Sequence, residues 1–148
     1  MKRHYFFILF LLFFTACGNH ADKQAAGADT GFTRSSWEAT DTGRIAMTKV
    51  TGTGPDTLNA ETVVAFLNNN WPYVQLSIVK ISGDTLFLKI PESTYLTQQM
   101  GSSGPTTYFA EAVYNLTEIP GIHEVNFDFE EGDHAQPGTF NRESFKDE

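Results

Sequence analysis

Apolar and polar residues alternate in four short segments of the chain, as they do in strands that bury one face in a core. The last of these segments is the clearest, because Val125, Phe127 and Phe129 alternate with acidic and amide side chains. Gly83 and Asp84 form a two-residue hairpin signal between the second and third segments. The predicted strands are 44–51, 74–81, 85–90 and 123–130.

Two further segments place apolar residues at the three- and four-residue spacing of an amphipathic helix. Asn59 can cap the first helix, which continues to about Asn70 and is stopped by Pro72. Pro105 fits the first turn of the second helix. The apolar face of that helix consists of Phe109, Ala112, Val113 and Leu116. The resulting order, β-α-β-β-α-β, predicts an α+β fold with two helices packed on one face of a mostly antiparallel four-stranded sheet.

The first 16 residues differ sharply from the rest of the chain. Lys2 and Arg3 precede an unbroken apolar run from residue 5 to residue 14, and two small residues come just before Cys17. A basic start, an apolar run and a small-residue cleavage site together make up a secretory signal peptide. The apolar run is too short for an uncleaved transmembrane anchor, which needs ~20 residues to cross the hydrocarbon core.

Composition and charge change the picture once the signal peptide is set aside. The whole chain is 41% hydrophobic, but the signal supplies a disproportionate share of those residues. The formal net charge of −8 becomes −10 when Lys2 and Arg3 leave with the signal. Because such an acidic chain is repelled by phosphate backbones, we expect no nucleic-acid partner. Cys17 is the sole cysteine, which excludes intramolecular disulfides and cysteine-based zinc clusters.

The sequence Phe14-Thr15-Ala16-Cys17 resembles the lipobox of bacterial lipoproteins, in which the cysteine is lipidated and becomes the first mature residue. The resemblance implies that the protein is anchored to a membrane of the bacterial cell envelope through lipid on Cys17. Gly18, rather than Asp, follows the cysteine. In the resemblance this implies the outer membrane, with the protein on its periplasmic or surface face.

Residues 17–43 are rich in small and polar residues, and Phe32 and Trp37 are their only large apolar side chains. Such a segment cannot bury enough surface to offset the entropy lost on ordering. We therefore predict a flexible tether, with Phe32 and Trp37 docking on the domain in preference to a partner. The predicted division of the chain is a signal peptide (1–16), a tether after lipidated Cys17 (17–43) and a folded domain (44–148).

The run YFAEAVYNLTEIPGIHEVNFDFEEG, residues 108–132, resembles the GerMN domain, a family named from a sporulation and germination protein. That family has a helix of the type A-x-L-V-x-T-L-T, a Pro-Gly turn, and a strand of alternating valines and phenylalanines. Here residues 112–118, the pair Pro120-Gly121 and residues 123–130 stand in those places. The resemblance covers about residues 44–148. It implies an extracytoplasmic binding or assembly module that has no catalytic residues and no cofactor.

The partner of such a module is expected to be an envelope protein or a second copy of the chain. Tyr108 and Tyr114 lie off the apolar face of the second predicted helix, so we predict that they are exposed aromatic anchors for a partner. The competing interpretation is that both tyrosines are partly buried at the rim of the core.

A Gly/Ser-rich loop at the start of the second predicted helix is the best candidate for small-ligand binding. The free N–H groups and positive dipole end of a helix start suit a phosphate or carboxylate, so a small-anion receptor is one alternative function. The loop lacks the lysine of a P-loop, and the favoured interpretation is that its hydroxyls cap the helix. The candidate ligand-binding residues are Ser102, Ser103, Gly104, Thr106 and Thr107.

The common hydrolase motifs G-x-S-x-G and H-E-x-x-H are absent from the sequence, and no metal ligands are predicted. A second alternative function is an enzyme or binder that acts on cell-wall glycan through surface carboxylates. Nothing in the sequence selects a carboxylate pair, because spacing along the chain does not fix spacing in space. The acidic cluster between residues 128 and 134 lacks the calcium-loop pattern and is interpreted as a solvated strand end.

Replacing Cys17 with Ser is expected to release the protein from membranes, because the substitution removes the only thiol that can carry lipid. The measurement is the distribution of the protein between membrane pellet and supernatant after fractionation. A Cys17→Ser variant that stays in the pellet would contradict the predicted anchor.

Overall fold

The computed structural model describes residues 34–146. The predicted signal peptide, Cys17 and Phe32 lie outside this range. Within it helices and strands are both present, which confirms the predicted α+β class. The elements are β1 (Arg34–Asp41), β2 (Ile45–Gly54), α1 (Ala60–Asn70), β3 (Ser77–Ser82), β4 (Thr85–Lys89), a π-helical turn (Tyr95–Gln99), α2 (Gly104–Leu116), β5 (Glu124–Asp128), β6 (Gly138–Phe140) and a 3-10 helix (Arg142–Phe145).

Four strands form the main sheet in the order β3-β4-β5-β6. β3 and β4 are an antiparallel hairpin whose turn contains Gly83 at a φ of 64°, a conformation that glycine adopts without steric cost. β4 and β5 are parallel, and α2 lies in the crossover connection between them. One face of the two central strands is fully buried in the core. Its side chains are Leu86, Leu88, Val125 and Phe127.

α1 begins at a capping box, which confirms the predicted cap at Asn59. The Asn59 side chain accepts a hydrogen bond of 2.9 Å from the Thr62 backbone N–H, and the Thr62 hydroxyl accepts one from the Asn59 N–H. The helix ends where the Trp71 N–H donates to the Leu67 carbonyl at 2.8 Å, directly before Pro72. α1 packs on the core through Ala60, Val63, Val64, Phe66 and Leu67.

α2 is buried on almost all sides because it lies between two layers. On one side the Phe109 ring centroid is 5.0 Å from that of Phe127 in the main sheet and 5.2 Å from that of Phe140. On another side α2 contacts β1 and β2, which form a separate antiparallel ribbon. A helix in this position buries its polar residues together with its apolar ones, and Glu111 and Asn115 are both buried.

The predicted boundary between tether and domain is wrong. Residues 34–41 form β1, which pairs with β2 from Arg34 opposite Gly54 to Asp41 opposite Ile45. The composition of this segment hides the strand, because backbone pairing and contacts with α2 stabilise β1 in place of an apolar face of its own. The folded domain therefore begins no later than Arg34.

The predicted strand order is also wrong in two places. The strand predicted at 44–51 is β2, which belongs to the ribbon and not to the main sheet. The fourth place in the main sheet is taken by β6, where Phe140 lies opposite Val125. A strand of three residues is too short to show an alternating pattern in the sequence.

The C-terminal segment closes one end of the core. Phe140 stacks on Phe109, and the Phe145 ring centroid lies 6.0 Å from that of Phe140. Asn141 caps the 3-10 helix that carries Phe145, since its side chain accepts a hydrogen bond of 3.0 Å from the Glu143 N–H. Polar residues dominate this tail, yet Phe145 belongs to the buried core cluster and the partly buried Phe140 packs against it.

Replacing Phe145 with Ala is expected to lower the free energy of unfolding by about 3 kcal/mol, because Phe145 is only 5% exposed and removing its ring leaves a cavity in the core. Urea denaturation of the Cys17→Ser chain measures the change. Val79→Ala, at a side chain that is 57% exposed, is the control and should change the free energy by less than ~0.5 kcal/mol. Equal stability of Phe145→Ala and the parent chain would show that the tail does not support the core.

Candidate functional site

A cleft of about 530 Å³ lies between the β1–β2 ribbon, the end of α1 and the middle of α2. This volume falls within the range of small-ligand sites in proteins. Both strands of the ribbon contribute to its walls, and Trp71 and Glu111 come from the helical side. The lining residues are Ser36, Glu38, Ala39, Gly52, Thr53, Phe66, Asn70, Trp71 and Glu111.

Glu111 connects three elements around this cleft. Its Oε1 accepts a hydrogen bond of 2.8 Å from the Trp71 indole Nε1–H, and its Oε2 accepts one of 3.3 Å from the Ala39 backbone N–H. The residue is only 9% exposed. A carboxylate at this depth needs such donors, because leaving its oxygens unpaired would cost the full desolvation free energy. Glu111 therefore holds β1 and the end of α1 against α2.

The pKa of Glu111 is raised above its ordinary value. Burial is the main cause, and the negative charge of Glu38 adds to it. Hydrogen bonds from Trp71 and Ala39 act in the opposite direction but do not outweigh burial. A carboxyl group with a raised pKa inside a cleft is a common feature of binding and catalytic sites, and it also occurs in purely structural networks.

Tyr108 lies one helical turn before Glu111 and is fully buried, so the prediction that it is an exposed partner-binding aromatic is wrong. Its ring meets Trp71 edge-on, with centroids 5.4 Å apart. Its hydroxyl has no hydrogen-bond partner among residues 34–146. Burial, together with the charge of Glu111, raises the pKa of Tyr108 well above its ordinary value. The helix periodicity could not show that Trp71, at the end of α1, packs on this side of α2.

Asn115 lies one turn after Glu111 and forms hydrogen bonds with the backbone of β1. Its Oδ1 accepts from the Trp37 N–H at 2.9 Å, and its Nδ2 donates to the Trp37 carbonyl at 2.8 Å. Because Glu111 also accepts from the Ala39 N–H, the backbone groups at this edge of β1 find their hydrogen-bond partners on α2. The sequence analysis missed both residues. Polar residues at i and i+4 in an otherwise apolar helix are the signal that could have found them.

Glu118 completes this polar row on α2 and the turn that follows it. Its Oε1 accepts from the Trp37 indole Nε1–H at 2.9 Å and from Arg142 Nη2 at 2.7 Å, and its Oε2 pairs with Lys49 Nζ at 3.1 Å. Desolvation acts to raise the pKa of Glu118, but these hydrogen bonds and the charge of Lys49 outweigh it and lower the pKa to about 2. The predicted contact of Trp37 with the domain is therefore present, but Trp37 makes it as a residue of β1 and not of a tether.

Tyr114 is half-buried in the same cluster. Its ring meets that of Trp37 edge-on at 5.2 Å, and the Arg142 guanidinium lies 5.0 Å from its centroid. Its faces are thus partly covered by other residues of the domain. A contact between Tyr114 and a partner stays a prediction, and it could use only the part of the ring that is still exposed.

The Gly/Ser loop lies at the start of α2, away from the cleft. Ser102 and Ser103 are exposed, and the Ser103 side chain does not cap the helix. The Asp41 carboxylate at the end of β1 accepts a hydrogen bond of 2.8 Å from the Gly43 N–H. This bond, together with the nearby Ser103 hydroxyl, lowers the pKa of Asp41. The expected capping by loop hydroxyls is therefore wrong for Ser103, and the chain supplies its own anion beside the helix start.

The other loop candidates face different surroundings. Thr107 donates its N–H and its hydroxyl to the Ser103 carbonyl, each at 3.1 Å. Thr106 lines a second cleft of about 500 Å³ together with Asp133 and His134. Gly104 is half-buried beside Met100, so a side chain there would collide. The loop residues are neighbours, but they do not converge on one pocket.

Neither a metal centre nor a membrane span is found between residues 34 and 146. No three His, Cys, Asp or Glu side chains in that range are grouped so that they could hold a metal ion. Its helices are likewise too short or too polar to cross a bilayer.

Comparisons of the chain with family models, with curated proteins and with solved structures found no match. The candidate site is therefore defined by geometry alone.

Replacing Glu118 with Gln is expected to destabilise the protein at pH 7 and to flatten its loss of stability in acid. A folded pKa near 2 against an ordinary value of 4.5 means that the stabilisation is present above pH 4.5 and is lost as the pH falls towards 2. Urea denaturation at several pH values measures both effects. The control is Glu131→Gln, at an exposed loop position. A Glu118→Gln variant with the parent chain's stability and pH profile would contradict the role of this cluster.

Proposed function

We propose that this protein is a lipid-anchored protein of the bacterial cell envelope whose folded domain is a non-catalytic, GerMN-like binding or assembly module. The signal peptide and the position of Cys17 as the sole cysteine support an anchor, and Gly18 favours the outer membrane. The resemblance of residues 108–132 supports the GerMN-like assignment. A partner is either another envelope protein or a second copy of the chain.

The observation that best supports a binding or assembly function is the exposed apolar edge of the main sheet. β3 is an edge strand, and within residues 34–146 it pairs only with β4. Ile78, Val79 and Ile81 on this strand are 37%, 57% and 52% exposed. An edge of this kind offers backbone hydrogen-bonding groups and apolar side chains to an incoming strand.

The charge on β3 does little to keep other strands away. Lys80 is its only charged residue, and lysines on edge strands commonly discourage pairing with other chains. Here the Lys80 ammonium lies 4.8 Å from the Phe87 ring centroid, so it is turned onto its own sheet. The apolar side chains are left as the main feature of this edge.

The two alternative functions have weaker support. In a glycan-cleaving enzyme a carboxyl group must be free to exchange a proton or attack the sugar, whereas both oxygens of Glu111 accept hydrogen bonds from the protein. A small-anion receptor at the start of α2 would place its ligand beside the Asp41 carboxylate, which repels it.

Replacing Val79 with Lys should weaken association, because it places a charge in the middle of the apolar edge without disturbing the core. The measurements are the molar mass of the purified Cys17→Ser chain by light scattering and the capture of cross-linked envelope proteins. Thr48→Lys, at an exposed position of β2, is the matched control and should behave like the parent chain. A parent chain that is strictly monomeric and captures no partner would refute an assembly module.

A further inference from the structure

Most of the side-chain hydrogen-bond donors that line the cleft between the ribbon and the two helices already donate to other groups of the protein. The Thr53 hydroxyl donates to the Val50 carbonyl at 3.0 Å, so in the 2.6 Å contact between the Ser36 and Thr53 hydroxyls the donor is Ser36. Both hydroxyl protons are thus committed within the protein. The same is true of the Trp71 indole N–H, which is bound to Glu111.

The polar side chains left available to a ligand are therefore mostly acceptors. Ser36 and Thr53 keep oxygen lone pairs, and the Glu38 carboxylate is exposed at the cleft. Among the lining residues the Asn70 amide is the one side-chain group whose N–H donors are not already used by these contacts. A ligand that fits this cleft must supply donors of its own.

Charge points to the same ligand chemistry. Glu38 and Glu111 are both at the cleft, and its lining includes no lysine, arginine or histidine. Burial is the main reason that the pKa of Glu111 is raised, and repulsion from Glu38 adds to it. A cation in the cleft would relieve that repulsion, and the Trp71 ring offers a surface on which an ammonium group is also stabilised.

We infer that this cleft binds a small hydroxylated amine, such as an amino sugar, whose ammonium group lies near Glu38 and Glu111 and whose hydroxyl groups donate to the acceptors of the ribbon. The inference is independent of the proposed assembly function, because β3 contributes no residue to the cleft. It concerns binding alone and requires no catalytic step.

The test compares two disaccharides that differ only in the group at position 2 of each sugar ring. In the β-1,4-linked glucosamine disaccharide a protonated amine replaces the 2-hydroxyl of each ring of the matching glucose disaccharide, so size and shape are nearly equal. Isothermal titration of the full mature chain carrying Cys17→Ser, at pH 7 and low salt, is expected to show binding of the glucosamine disaccharide and at least tenfold weaker binding of the glucose disaccharide.

Glu38→Gln removes the exposed charge without touching the contacts that hold Glu111, and it should weaken glucosamine binding about fivefold. Glu131→Gln removes a charge from a distant loop and should leave binding unchanged. Equal binding of the two disaccharides, no binding of either at millimolar concentration, or an unaltered affinity in Glu38→Gln would each overturn the inference.

Discussion

The arrangement of this domain depends on one row of polar side chains that holds the edge of a strand against a helix. Glu111 and Asn115 lie one turn apart on α2, and Glu118 follows in the turn after the helix. Their carboxylate and amide groups bind the backbone of β1 at Trp37 and Ala39, and the Trp37 indole. Side chains of α2 thus form hydrogen bonds with the backbone at the edge of β1, where a neighbouring strand would supply the partners elsewhere in a sheet. Since these groups are buried or half-buried, any one of them left without its partner would cost free energy, and that requirement fixes where the ribbon lies.

The cleft is a by-product of the same constraint. Glu111 binds Ala39 of the ribbon and Trp71 at the end of α1, and the cleft lies between these elements. Its inner wall is therefore part of the fold, and a change at Glu111 would alter the stability of the domain together with the ligand binding that we propose for the cleft. Its outer wall is different, because the exposed Glu38 supplies charge without supporting any neighbouring element.

The parts of the fold that carry their own apolar periodicity could be predicted from the sequence. The cap at Asn59, the alternation around Val125 and the apolar face of α2 all appear in the structure near their predicted places. β1 could not be predicted, because only Ser36 of its eight residues is fully buried and the strand depends on partners distant in the chain. Tyr108 was misjudged for a related reason: periodicity marks the apolar face of a helix, and it does not reveal that Trp71 packs on another side.

For the proposed anchor at Cys17, the position of β1 also sets how far the domain can stand from a membrane. An extended chain advances at most ~3.5 Å per residue, so the segment between Cys17 and Arg34 can span no more than about 60 Å. A tether that continued to residue 43 would have allowed about 90 Å by the same estimate. In a protein anchored at Cys17, the maximum length of the segment between anchor and domain is thus about one third shorter than the composition suggests. Any partner that contacts the edge of β3 or the cleft must lie within the distance from the anchor that this segment allows.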